Sequence, residues 1–179
     1  LGAQSLPDIG QAQIEDFKLS LLDEKLAHCG TLTGKRASKD RAGKISVEGA
    51  ELKLARPNGD LKLTSARFTY AAGTSSFECP EGFTADLPDG GLLTVPKGAG
   101  SLALGAAIAL NATCEGLARL RMGSESSGPL DVKLPDPQFA IAFNAQGQIE
   151  SVVATSRRGA DLLARLARLP SLSYAARGA

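Results

Sequence analysis

The 179 residues are enough for one medium-sized domain with an apolar core. The 20 basic and 19 acidic residues leave a net charge of +1, which argues against a dedicated nucleic-acid binder because such proteins carry a basic excess. No run of 18 apolar residues occurs, so the printed sequence predicts no membrane-spanning helix. Tryptophan is absent, and the core must therefore be built from Leu, Ala, Val and a few Phe.

Residues 1–13 are predicted to be a flexible segment that precedes the folded part of the chain. Their first ten letters, "LGAQSLPDIG", have neither the charged start nor the long apolar centre of a secretory signal peptide. They are compatible with what remains after a signal or membrane anchor has been removed.

A unit of strand, turn and strand recurs after residue 14. Glu48-Gly49 opens an apolar stretch that ends in a turn at 57–60, and Glu81-Gly82 opens another that ends at 88–91. The two turns contain Asn-Gly and Asp-Gly between alternating apolar and polar residues, which is the strongest short-range signal for a β-hairpin. The sequence therefore predicts an all-β meander of antiparallel strands.

Two independent phrases show the period of this repeat. An acidic residue followed by an apolar one recurs at spacings of 33, 33 and 34 residues, at Glu15, Glu48, Glu81 and Glu115. A Leu-Thr phrase with a nearby cation recurs at 32–37, 63–68 and 93–98. A fixed period of this length is typical of a repeat architecture with one supersecondary unit per repeat. The recurring glutamates are accordingly interpreted as part of a corner or turn and not as catalytic carboxylates.

The alternation of apolar residues changes parity in the middle of the long strands. Ile45 and Val47 are odd-numbered, whereas Ala50 and Leu52 are even-numbered. A parity change within a strand indicates an inserted residue, a bulge or a sharp bend. We place such bends at Gly49, at Ser65-Ala66 and at Gly116, and we expect two facing sheets whose inner faces are apolar.

After a linker at 123–128, residues 130–155 predict further strands, with a hairpin turn at Gln146-Gly147. Residues 156–179 are predicted to form a short C-terminal helix and a tail. Pro170 ends this helix, whose apolar stripe has helical spacing and consists of Leu162, Leu163, Leu166 and Leu169. A cap over one open end of the sheets is the favoured role, and binding to a membrane surface through the flanking arginines is the alternative.

No constellation of catalytic residues is visible, and the chain is predicted not to be an enzyme. Its single histidine is His28, and no G-x-S-x-G motif or phosphate-binding loop opening a helix occurs. We predict no metal and no cofactor. The three cysteines cannot all pair, and an antiparallel meander would hold Cys79 and Cys114 two strands apart, roughly 10 Å, which is too far for a disulfide.

The repeat resembles one family, the OstA/LptA/LptC superfamily of lipopolysaccharide-transport proteins. The resemblance covers Ile14 to about Met122 and rests on the stretches "IEDFKLSLLDEK", "TLTGKRA", "VEGAELKLARPNGDLKLTSARFTY" and "CPEGFTADLPDGGLLTV". It implies a bent-strand β-jellyroll, or β-taco, whose apolar interior carries the acyl chains of a lipid. Residues 14–155 would form this jellyroll.

The resemblance also implies a function, a location and partners. The protein would be a periplasmic carrier or bridge component for lipopolysaccharide or a similar multi-acyl lipid, either soluble or anchored to the inner membrane by a segment outside this sequence. Its protein partners would be other β-jellyroll transport proteins, joined by edge-strand addition, and an inner-membrane transporter complex. The residues expected to line the lipid trough are Phe17, Leu19, Leu52, Leu54, Leu63, Phe68, Tyr70, Phe83, Leu87, Leu93, Leu102 and Leu104.

A second hypothesis comes from a different class of protein. The same side chains would fill a closed core in a non-enzymatic structural or interaction module built from β-repeats. Large side chains that close the interior from both sheets would favour that module, whereas the low aromatic content and the many alanines leave room for a ligand.

Overall fold

The computed structural model describes residues 13–22, 28–71, 74–88, 90–104, 108–122, 130–156 and 173–178. The side chains of Leu104, Leu130 and residues 173–178 lie outside this description. Within these ranges the protein is all-β, as predicted, and contains no helix. The strands are β1 Ile14–Leu22, β2 His28–Lys39, β3 Ile45–Leu54, β4 Leu61–Ala71, β5 Ser76–Cys79, β6 Phe83–Asp86, β7 Leu92–Val95, β8 Gly98–Leu104, β9 Ile108–Cys114, β10 Leu117–Met122, β11 Leu130–Pro135, β12 Pro137–Phe143, β13 Ile149–Ser156 and β14 Ser173–Gly178.

The strands pair in chain order. The long strands β1 to β4 form an antiparallel meander, and β4 then pairs with β6 along its first half and with β5 along its second half. Beyond β4, a bend divides each long strand into two short ones. The short strands that follow each other through a bend are β5 and β6, β7 and β8, β9 and β10, and β11 and β12. The predicted antiparallel meander is confirmed for the pairs from β1 to β13.

The bends divide the sheet into two half-sheets. The first half-sheet contains β6, β7, β10 and β11, the second contains β5, β8, β9, β12, β13 and β14, and β1 to β4 extend from one into the other. The sheet curls into a nearly closed, barrel-like shape. Apolar side chains from both half-sheets form one continuous buried cluster, because the strands from β1 to β13 turn alternate residues inward. The inner faces are apolar, as predicted.

Most bends leave two adjacent residues exposed, and this is the physical meaning of the parity change. Residues 115–117 are exposed at the Gly116 bend, and Pro135 and Asp136 are partly buried at the bend between β11 and β12. In β3 the buried set switches from odd to even numbers across the exposed pair Glu48-Gly49. In β4 the exposed pair is Ala66-Arg67, one residue later than predicted, because the Ser65 side chain turns inward and is buried. The backbone φ is positive at the bend glycines Gly49, Gly82 and Gly116, which is a conformation glycine adopts without steric cost.

The C-terminal part differs from the prediction. Residues 173–178, predicted as a tail, form β14, which pairs with β13 in parallel and covers one edge of the second half-sheet. A parallel neighbour needs a crossover of a dozen or more residues, and residues 157–172 supply that length of chain. The predicted helix falls within residues 157–172, outside the described residues, as do residues 1–12 of the predicted flexible segment.

Candidate lipid-binding interior

The side chains predicted to line a trough come together on the inner faces of the two half-sheets. All of those that the structure describes are buried, with exposed fractions from 0 to 8%. Leu104 ends β8, and its side chain lies outside the described part of the structure. The buried ones are Phe17, Leu19, Leu52, Leu54, Leu63, Phe68, Tyr70, Phe83, Leu87, Leu93 and Leu102.

Sequence reasoning missed other inward-facing side chains that belong to the same cluster. They obey the same alternation as the predicted ones, so the period of two along each strand also indicates them. The largest of these, each no more than 1% exposed, are Leu32, Val47, Phe77, Ile108, Leu110, Met122, Ile141 and Phe143.

Aromatic rings concentrate near the bend of β4 to β6. The ring of Phe68 stacks on Phe77 with centroids 5.7 Å apart, and Phe77 meets Phe83 edge-on at 5.8 Å. Glycines on β8 make room for these rings, since a Cβ added at Gly100 would lie 2.9 Å from Phe77 Cζ and one at Gly98 would lie 3.1 Å from Phe83 Cε1. The small residues of the Lys97–Leu110 stretch therefore permit close packing of the rings.

Three free cysteines face the interior. Cys79 and Cys114 pair with Gly98 from its two sides, so β8 separates them as the antiparallel order predicted. Burial raises the pKa of Cys114 to about 12, and it raises the pKa of Cys79 to about 11 against the opposing effect of a hydrogen bond with Ser65. Both thiols are therefore protonated and unreactive near neutral pH.

Ser65 connects two neighbouring bends through its buried hydroxyl group. The oxygen lies 2.6 Å from the carbonyl oxygen of Gly82 and 2.7 Å from that of Arg67. Among the described residues Ser65 and Ser156 are the buried polar side chains, and Ser156 donates to the carbonyl oxygen of Pro135 at 2.7 Å. The interior thus carries no charged side chain in the described ranges, and its chemistry suits an apolar guest.

The outer face of the second half-sheet carries a shallow depression of about 370 Å³. It lies across β8, β9, β12 and β13, and its lining includes Ser101, Asn111, Gln138, Ala140 and Thr155. No titratable side chain lines it, so the serine and threonine hydroxyl groups of its lining have no base among the lining residues.

The described ranges contain neither of two other kinds of feature. No group of three or more His, Cys, Asp or Glu side chains is placed to hold a metal ion. Nor does any helix there have the length and apolar character that crossing a membrane requires.

In the comparisons with known proteins, no family model, no curated protein and no solved structure matches this chain.

Proposed function

We propose that the protein is a periplasmic lipid carrier or bridge component, which holds the acyl chains of lipopolysaccharide or a similar multi-acyl lipid between its two half-sheets. The observation that carries the proposal is the inward placement of the predicted trough residues along consecutive bent strands. In this proposal the bent meander is a β-taco, a jellyroll that opens along one side.

The physical basis is the transfer of acyl chains from water into an uncharged interior. Each buried CH₂ group contributes about 0.8 kcal/mol, so a lipid with several acyl chains gains enough to be held even if only part of each chain enters. The half-sheets belong to one sheet and are joined through the bends, so separating their inner faces breaks no strand pairing. Entry of lipid would therefore break apolar contacts between the two inner faces, and contacts with the acyl chains would replace them.

A photo-crosslinking experiment tests this proposal. A phenylalanine carrying a small diazirine group is incorporated at Phe68, which faces inward and is 1% exposed, and in a second protein at Thr69, the next residue of β4, which faces outward. Each protein is irradiated with lipid A or with total envelope lipids, and the adducts are identified by mass spectrometry. The carrier proposal predicts lipid adducts at position 68 and few or none at position 69.

The closed-core interaction module is the second candidate, and a specific observation favours it. The described trough residues are so deeply buried, and the rings of Phe68, Phe77 and Phe83 fill the bend so closely, that the same side chains can serve as an ordinary core. Absence of lipid adducts at position 68 in a protein that remains folded by circular dichroism would overturn the carrier proposal and leave this module.

A further inference from the structure

Two hairpin loops meet across the opening between the half-sheets. The loop of residues 55–60 joins β3 to β4 at the end of the first half-sheet, and the loop of residues 144–148 joins β12 to β13 at the end of the second half-sheet. Both loops lie at the strand ends farthest from the bends, so they belong to opposite rims of the opening. We call their contact the rim clasp.

The rim clasp consists of a main-chain hydrogen bond and a close packing contact. The amide of Asn58 donates to the carbonyl oxygen of Gln146 at 3.0 Å. Beside this bond, a Cβ added at Gly147 would lie 2.6 Å from the Cβ of Arg56 and 3.4 Å from the carbonyl oxygen of Gly59. Gly147 is accordingly buried, although it lies in a hairpin turn. The two loops therefore touch without space for another side chain.

Each loop holds its own shape through hydrogen bonds within it. The side-chain oxygen of Asn144 accepts from the amides of Gln146 at 3.0 Å and Gln148 at 2.9 Å. In the other loop the Gly59 amide donates to the carbonyl oxygen of Arg56 at 3.2 Å. The clasp can therefore open and close as a contact between two preformed loops.

The clasp is a weaker connection between the half-sheets than the bends are. Its hydrogen bond belongs to no strand pairing, and the loss of one such bond changes an opening equilibrium by only about twofold to tenfold. At the bends the long strands β1 to β4 run from one half-sheet into the other, and the buried hydroxyl group of Ser65 joins neighbouring bends. The half-sheets therefore separate most readily at the rims, with the bends as the hinge.

We propose that the rim clasp is the gate of the apolar interior. It is closed in the lipid-free protein, and acyl chains enter between the half-sheets when the hydrogen bond from Asn58 to Gln146 breaks and the two loops separate. Lipid shifts this equilibrium because it binds only the open state. This inference rests on the lipid carriage proposed above, and it names the place of entry and the contact that controls entry.

Gly147 and Gly90 provide a matched pair of variants for testing the gate. Both have a positive φ, 87° and 82°, so alanine introduces similar backbone strain at each position. An added Cβ at Gly90 has nothing within 4 Å, whereas at Gly147 it meets Arg56 in the clasp. Gly147→Ala therefore forces the clasp open, and Gly90→Ala controls for strain.

Hydrogen exchange and lipid A crosslinking at position 68 are measured for the wild-type protein and both variants. We expect Gly147→Ala to speed exchange of the Asn58 amide about tenfold and to raise adduct formation at subsaturating lipid by a similar factor. Gly90→Ala should change neither measurement. The amide of Leu63, which lies inside the sheet between β3 and β6, should remain far better protected than that of Asn58 in all three proteins.

A reversible link across the clasp gives the opposite test without a strained backbone. The substitutions Asn58→Cys and Gln146→Cys are introduced together, a short bis-methanethiosulfonate reagent joins the two thiols, and a reductant releases them. A control link joins Thr64→Cys to Thr84→Cys, because these side chains contact each other on β4 and β6 within one half-sheet. Locking the clasp should lower lipid adducts at position 68 at least tenfold and reversibly, whereas the control link should leave them unchanged.

The results distinguish the gate from the carrier. Equal adducts in the locked and released proteins, or equal exchange of the Asn58 amide in Gly147→Ala and Gly90→Ala, would overturn the gate and leave the carrier. Absence of adducts in every protein, locked or released, would contradict the carrier, and the gate would fall with it.

Discussion

Gly82 lies at the bend between β5 and β6 with a φ of 83°, and the chain of the next bend passes directly beside it. A Cβ added there would lie 2.6 Å from the carbonyl oxygen of Pro96. Gly43 has a similar φ of 81° but has nothing within 4 Å of such a Cβ. A substitution at Gly82 therefore introduces both backbone strain and crowding, whereas one at Gly43 introduces backbone strain alone.

We expect Gly82→Ala to lower the free energy of unfolding by about 2–4 kcal/mol, the sum of left-handed backbone strain and overpacking against the neighbouring bend. Gly43→Ala should lower it by only about 1–2 kcal/mol, since strain acts alone there. Urea denaturation of both variants measures the difference. Equal losses at the two sites would show that the bends do not pack as described.

The buried thiols predict how stability depends on pH. An acid whose pKa is raised in the folded state stabilises the fold below its unfolded pKa and loses that contribution as pH rises toward the folded value. The ordinary pKa is 9.0, and the folded values are about 11 for Cys79 and about 12 for Cys114. The loss should therefore begin near pH 9 and continue to about pH 11–12.

Within that window each thiol should remove about 1.4 kcal/mol of stability per pH unit. Chemical denaturation at pH 8, 9 and 10 measures the slope for the wild-type protein and for the double variant Cys79→Ala, Cys114→Ala. The double variant should be less stable than the wild-type protein at pH 8, but its free energy of unfolding should fall less between pH 9 and 10. The same slope in both proteins would mean that these thiols are not buried in the folded state.

At the scale of strands, ion pairs link the outer sides of neighbouring bends, namely Arg36 with Glu48, Arg67 with Glu81 and Lys97 with Glu115, and they act through register more than through strength. These ion pairs are about half exposed, so each contributes roughly 0–1 kcal/mol. Glu48 lies between Arg36 and Arg67, so a cation at this position would face like charges on both neighbouring strands.

Glu48→Lys should therefore reduce the free energy of unfolding by about 1 kcal/mol at low salt. The loss should shrink in 1 M NaCl, where charges on the surface are screened. Adding Arg36→Glu should recover part of the loss, because the pair is then restored with its signs exchanged. A loss that persists unchanged in high salt and in the double variant would point to packing instead of charge.

The strands, hairpins and bends could be predicted because their signals are local. Asn58-Gly59 and Gly147 indicate turns. The change in parity of the apolar residues around Gly49 indicates a bend to within a few residues. The inward placement of the residues expected to line a trough followed from the same alternation. The glutamates and the cations of the bends were predicted only as two separate repeats, since their pairing depends on which residues of distant strands lie opposite each other.

The parallel strand β14 could not be read from the sequence for a related reason. A short segment at the end of a chain gives no indication of its partner, and β13 is reached only through a crossover. The close packing around Phe77 could not be predicted from the sequence either, because it depends on Gly100 of β8 lying beside the ring.

For the molecule as a whole, lipid that binds the folded state alone must stabilise it by mass action. At a free lipid concentration of 100 times Kd the gain is about 2.7 kcal/mol, which for a chain of this size corresponds to a rise in Tm of roughly 5–10 °C. Scanning calorimetry with lipid A in a mild detergent, against detergent alone, measures it. An unchanged Tm under conditions where lipid A is dispersed would speak for the closed-core module.

The meander follows chain order, and each repeat contributes two strands, one with a glutamate at its bend and one with a cation there. The number of repeats therefore sets the number of strands in the sheet. Deleting residues 49–81 would join Glu48 directly to Gly82 and so rebuild a Glu-Gly bend from two former ones. We expect the shortened chain to remain all-β by circular dichroism and to unfold cooperatively, with a smaller m-value because it buries less surface. A protein assembled in this way can change its span by gaining or losing whole units, while the sequences of its two ends stay unchanged.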